Sequence, residues 1–128
     1  MAALRDLMNT TVVTAEPEYA IAEAAAAMVA AGVGSAVVMQ GSFIAGILTE
    51  RDVLRAAASG ENLFMSTVAE WMTADPKALG PDSSAEEAAQ LMLLNGFRHL
   101  PVVDGRQVCG VVSLRDLFAA RIRRVARE

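Results

Sequence analysis

The chain of 128 residues has a single cysteine, Cys109, set in an apolar run. No disulfide can form within it, and a reduced, cytoplasmic setting is expected. No apolar run approaches the ~20 residues of a membrane-spanning helix; the mildest stretch, 24–31, is alanine-rich and short. The opening MAALRDLMNT has neither an apolar core nor a cleavage site, so no secretory signal is expected there. One histidine, His99, and one cysteine make a poor ligand set, and no metal site is expected. There is no Gly-x-Ser-x-Gly element and no P-loop. Ser113, His99 and Asp116 are residue types of a hydrolytic triad, but Ser113 and Asp116 stand three apart at the start of one expected helix. No catalytic residue is assigned, and the chain is not read as an enzyme. Positive charge is not in excess either. The formal net charge is −4, which argues against general nucleic-acid binding. Only the tail ARIRRVARE is basic, and it reads as a solvated helix end whose arginines complement the helix dipole.

What is present is a globular composition, 54% hydrophobic and 20% charged. It is also a composition written twice. Displaced by 64 positions, the sequence matches itself without a gap. Met8 falls on Met72, Pro17 on Pro81, Glu23-Ala24-Ala25 on Glu87-Ala88-Ala89, and Met28 on Met92. Gly32, Gly41 and Gly46 fall on Gly96, Gly105 and Gly110. The heptapeptide GILTERD (46–52) returns as GVVSLRD (110–116). Two long copies suggest a pseudo-twofold pair rather than an array.

Each copy carries the same expected elements. A short apolar turn (4–8; 68–72) precedes an extended piece (12–14; 77–79). A helix follows (19–31; 84–95), with Ser84 and Glu87 spaced as a capping box and Gly32 and Gly96 placed to end the helices. Two strands come next (36–39 and 43–48; 100–103 and 108–112), separated by the turn chemistry of Gln40-Gly41-Ser42 and Asp104-Gly105-Arg106. A last helix starts at Thr49 or Ser113. The strands are almost wholly apolar, as strands buried on both faces are. The expected fold class is α/β in the α+β sense: two β-α-β-β-α repeats, pseudo-twofold related and packed through their sheets around a shared core. The expected division is repeat 1 at 1–58, a linker at 59–66 containing Ser59-Gly60-Glu61-Asn62, and repeat 2 with a C-terminal helix extension at 67–128.

The heptapeptide places a hydroxyl, Thr49 or Ser113, where a strand gives way to a helix. Unpaired N–H groups and the positive end of the dipole suit a phosphate there. Asp52 and Asp116 lie one turn inside, where a carboxylate accepts from both hydroxyls of a ribose. Gly46 and Gly110 would let something approach the strand closely. Thr-x-x-Asp and Ser-x-x-Asp are equally helix caps, and a hydroxyl can do both jobs. The apolar residues near the expected linker, Phe64, Met65, Trp71 and Met72, read as core.

The element order, the turn Val-Ala-Glu-Trp-Met-Thr (68–73) with its partner Leu-Arg-Asp-Leu-Met (4–8), the proline before each first helix, the twin Gly-h-h-(Thr/Ser)-x-x-Asp motifs and Arg98-His99-Leu100-Pro101-Val102 together resemble the cystathionine-beta-synthase (CBS) domain family. The tandem form is the Bateman module, and the resemblance spans about 4–118. It implies a regulatory module without catalysis or an obligatory cofactor. Such modules bind an adenosine-containing ligand (AMP, ADP or ATP, with S-adenosylmethionine or NAD as further options) in clefts between repeats. It implies a homodimer and an effector protein that reads the bound state; hydropathy points to no membrane, and the net charge makes nucleic acid an unfavoured partner. The alternative is a ligand-free module for dimerisation or protein interaction.

Carried onto this sequence, the resemblance implies two unequal sites. The stronger takes Lys77, Ala78, Arg98, His99, Leu100, Pro101, Ser113, Arg115 and Asp116. Arg98 brings a planar donor fork to phosphate, and His99 a charge that depends on pH. The weaker takes Val12, Val13, Thr14, Gly34, Ser35, Ala36, Thr49, Arg51 and Asp52. Gly34-Ser35 stands there in place of Arg98-His99.

Overall fold

The computed structural model describes residues 2–127, apart from the Arg127 side chain. In chain order the elements are α1 (Leu4–Leu7), β1 (Thr14–Ala15), α2 (Ile21–Ala31), β2 (Ser35–Gln40), β3 (Phe43–Thr49), α3 (Glu50–Ala58), α4 (Val68–Trp71), β4 (Thr73–Ala74), α5 (Ala85–Asn95), β5 (His99–Asp104), β6 (Gln107–Ser113) and α6 (Leu114–Arg127). They gather into two compact units. The first is Thr11–Pro76; the second joins the residues up to Thr10 with those from Lys77 onward.

The first unit is a four-stranded sheet in the order β1-β2-β3-β4. β1 runs parallel to β2, and the other pairs are antiparallel. β2 and β3 form a hairpin closed by Gly41-Ser42, with Gly41 at φ 62°. That left-handed backbone is what a tight hairpin turn requires and glycine readily adopts. α2 buries Ile21, Ala24 and Met28 at helical spacing. It stops at Gly32, φ 68°, where the Val33 N–H turns back to the Met28 carbonyl. Ala36, Val38, Leu48, Ala15 and Val68 complete the core cluster. Val37, between Ala36 and Val38, points to the opposite sheet face and is equally buried.

The second unit repeats this plan. β5 and β6 pair through the same register, with a shift between Val102 and Val103 that matches the one between Val38 and Met39. β1 and β4 have counterparts reduced to single bridges, Leu79 to Val102 (parallel) and Asn9 to Val111 (antiparallel). Ser84 caps α5: its Oγ accepts from the Glu87 N–H, and Glu87 Oε1 accepts from the Ser84 N–H at 3.2 Å. In α2 the cap position is Ala20, which has no side-chain oxygen, so only the Glu23 half of the box forms. Leu4, Ala88, Met92, Leu100, Val102, Val112 and Leu117 form the core of this unit.

The compact units are not cut where the sequence repeats are. α1 opens the first repeat, yet Leu4 belongs to the second core, and its N–H donates to the Ser83 carbonyl. α4 opens the second repeat, yet Val68 belongs to the first core, and its N–H donates to the Tyr19 carbonyl. Arg5 and Ala69 likewise donate to Pro81 and Pro17. The leading segments are exchanged, residue for equivalent residue. The stretch 59–66, expected as a linker, is folded into the first unit. Its Leu63 and Ser66 carbonyls accept from the Ala22 and Ile21 N–H groups at the start of α2, and Ser66 is buried with its hydroxyl on Glu61. Of the four apolar residues expected as core, Trp71 and Met72 pack against the first cluster. Phe64 and Met65 do not; they are 79% and 78% exposed.

Candidate functional site

In each unit three pieces of chain meet at one end of the sheet. In the first, Thr49 is the last residue of β3 and the N-cap of α3, with extended backbone. Ser35 stands opposite it, the Glu50 N–H donates to the Gly34 carbonyl, and the Val37 N–H donates to the Val13 carbonyl. Thr14 pairs with Val37. Val13 and Thr14, Gly34 to Ala36, and the first turn of α3 are thereby held as neighbours. The Ala36 side chain lies in the core cluster, so it lines no surface.

The second unit builds the same corner. His99 stands opposite Ser113, the Leu114 N–H donates to the Arg98 carbonyl at 2.9 Å, and the Leu79 N–H donates to the Pro101 carbonyl. Arg98, Arg115, Lys77 and Ala78 are exposed and His99 is half-buried. Lys77 and Ala78 enter through chain continuity with Leu79. Leu100 and Pro101 are fully buried and Leu100 is core, so its side chain does not line a surface. This corner carries Arg98 and Arg115 where the first carries Gly34 and Arg51.

Both heptapeptides close capping boxes, although aspartate is shorter than the usual glutamate. The Thr49 N–H donates to Asp52 Oδ2 at 2.9 Å, and the Asp52 N–H donates to Thr49 Oγ1 at 3.3 Å. The Ser113 N–H donates to Asp116 Oδ2 at 2.8 Å, and the Asp116 N–H to Ser113 Oγ at 3.1 Å. The two carboxylates then differ. Asp52 also accepts from the Thr49 hydroxyl at 3.0 Å and from Arg55 Nη1 at 3.0 Å, and is 6% exposed. It uses three of the roughly four lone-pair positions a carboxylate offers. Asp116 is half-buried and uses one among the described residues, which leaves Oδ1 open.

Sequence reasoning passed over Arg55. Its guanidinium bonds Asp52 and lies over the Trp71 ring, 5.6 Å from the centroid. Trp71 Nε1 is buried and has no hydrogen-bond partner among the described residues. In the second unit the matching positions are Ala119 and Leu7. The signal was available: an arginine three residues past an aspartate on a helix faces it, and only one copy has it. Gly46 and Gly110 also need a different account from the one their motif suggested. What approaches them is the exchanged segment of the chain itself, Met72-Thr73 at Gly46 and Met8-Asn9 at Gly110.

Comparison with known proteins bears on the family and the fold. A sequence model of the family described as CBS domain matches twice, over residues 4–59 and 68–123. The CBS domain-containing protein YhcV of Bacillus subtilis is 37% identical over 118 residues, which cover 91% of this chain and 84% of YhcV. The crystal structure of the CBS domain protein NE2398 superposes with a TM-score of 0.86 at 30% identity, covering 94% of this chain and 98% of that one. The CBS domain pair of protein MJ0100, solved in complex with 5-methylthioadenosine and S-adenosyl-L-methionine, superposes with a TM-score of 0.87 at 23% identity, covering 97% and 98%.

Proposed function

The chain belongs to the CBS domain family as a tandem pair, and from that premise we propose that it is a regulatory module whose second unit binds an adenosine-containing nucleotide. The observation that carries the reading is Asp116. It sits one turn inside α6 with Oδ1 open among the described residues, beside a strand end bearing Arg98 and His99. In this reading the open oxygen accepts from the ribose hydroxyls. Arg98 and Lys77 meet the phosphates, with the first N–H groups of α6 behind Ser113. AMP, ADP and ATP suit this charge better than a neutral nucleoside does. The adenosine ligands of the MJ0100 pair support the class. The first unit offers Gly34 and a carboxylate already engaged, so it is the weaker site.

In this reading the bound state is passed on through contact with another protein or with a second copy of the chain. An exposed stripe on α6 favours such contact: Phe118, Ile122 and Val125 are 65%, 56% and 56% exposed at helical spacing. The same stripe is what a ligand-free interaction module would use.

Thermal unfolding with AMP, ADP, ATP, S-adenosylmethionine and NAD separates the readings. A ligand at a hundred times its dissociation constant adds about 2.7 kcal/mol, a rise of about 6–15 °C for a chain of this size. The rise is expected with an adenosine nucleotide and is lost in Asp116→Ala, while Asp52→Ala retains it. No rise with any of the five would leave the interaction module as the function.

A further inference from the structure

Resting on that reading, we propose that Arg55 is the residue that closes the first unit to nucleotide. It is a built-in occupant of the carboxylate that a ribose would otherwise take. Three observations meet on it. Its Nη1 lies 3.0 Å from Asp52 Oδ1, the oxygen equivalent to the one left open on Asp116. The other oxygen, Oδ2, already accepts from both the N–H and the hydroxyl of Thr49. The guanidinium is held in place from behind by the Trp71 ring, a contact that steadies an arginine while leaving its donor fork free to bond elsewhere. The second unit lacks both parts, with Ala119 and Leu7 at the matching positions. The asymmetry of the two sites therefore comes from a plug in one as well as from Arg98 and His99 in the other.

A ribose has two hydroxyls to place on one carboxylate. Asp52 has room for about one further hydrogen bond, whereas Asp116 has room for about three. A nucleoside entering the first unit must displace an arginine that keeps a full charge and an aromatic support. That competition is worth about tenfold in affinity, the order of a hydrogen bond to a charged group.

The test titrates AMP calorimetrically into the full chain and its variants. Arg55→Met removes the charge and keeps an unbranched, polarisable side chain against Trp71; far-UV circular dichroism and urea midpoints confirm that each variant is folded. Wild type is expected to take one AMP, lost in Asp116→Ala. Arg55→Met/Asp116→Ala is expected to regain a binding site, and adding Asp52→Asn removes it again. In the reverse direction Ala119→Arg sets the same plug beside Asp116, and AMP binding is expected to weaken about tenfold. Failure of Arg55→Met/Asp116→Ala to bind while wild type takes one AMP overturns the proposal and leaves the nucleotide reading standing. Unchanged affinity in Ala119→Arg, or two AMP per wild-type chain with one lost in Asp52→Ala, does the same. A wild type that binds no AMP overturns the reading of the second unit, and an Arg55→Met variant that also binds none overturns both.

Discussion

A side-chain carbon added at Gly46 would stand 2.6 Å from the sulfur of Met72. The same atom would lie 2.7 Å from the Thr73 carbonyl oxygen, which belongs to the β4 backbone and has little freedom to yield. Gly110 meets Met8 at 2.6 Å and the Asn9 carbonyl at 3.0 Å. Gly46→Ala and Gly110→Ala should therefore each lower stability by about 1–3 kcal/mol, as overpacking does. Gly46→Ala should be the worse of the two. Urea unfolding reads the difference, and midpoints equal to wild type would show that the exchanged segments give way without cost.

The two cores predict a matched pair of losses. Leu48 and Leu100 are both fully buried, one in each cluster. Leu48→Ala and Leu100→Ala should each destabilise by about 2–5 kcal/mol. Hydrogen exchange should show the loss first in the amides of the unit that carries the change. Loss spread evenly over both units after either substitution would contradict separate clusters.

The caps predict smaller effects of unequal size. Thr49→Ala removes the acceptor for the Asp52 N–H and the hydroxyl that donates to Asp52 Oδ2. Ser113→Ala removes one acceptor. Each should cost about 0.5–2 kcal/mol, with Thr49→Ala at the upper end because a buried carboxylate loses a donor. Chemical denaturation of the two variants side by side decides it; an equal cost would mean the extra Thr49 contact contributes nothing.

Tyr19 is the single tyrosine, so ultraviolet absorbance follows its ionisation alone. Its phenol donates a hydrogen bond to Glu16, and ionising it would set two anions together. Its pKa is therefore raised above the ordinary 10.0. A raised folded-state pKa stabilises in full below the ordinary tyrosine value and loses that contribution as pH climbs through the raised one. Glu16→Gln should move the titration midpoint down toward 10. A midpoint that stays put would remove the hydrogen bond as the cause.

Much of the fold was legible because the two copies check each other. The Ser84 and Glu87 spacing placed the start of α5 to the residue, and Gly32 and Gly96 ended their helices in the left-handed conformation expected of them. Hairpin glycines and apolar strands fell where composition put them. Two things escaped. Periodicity shows that Leu4 and Val68 are buried but not in which core, since an apolar residue fits either. β4 is two residues long and owes its pairing to the tight fit at Gly46, a long-range relation with no local signature. At the site, the hydroxyl and aspartate of each heptapeptide announced themselves by repetition. Arg55 did not, because it stands outside the repeated letters, and the difference it makes lies in how many acceptor positions are left on a carboxylate.

The exchange of leading segments has a consequence for how such a chain can be divided. A cut at the repeat boundary would leave residues 1–59 with a helix parted from its core and a core parted from its helix. The unit of duplication and the unit of folding are offset by one short segment. A single repeat obeying the same rule is complete only when another copy lends it the missing turn. The tandem chain does this for itself, turning what would be an exchange between two molecules into a covalent arrangement independent of concentration.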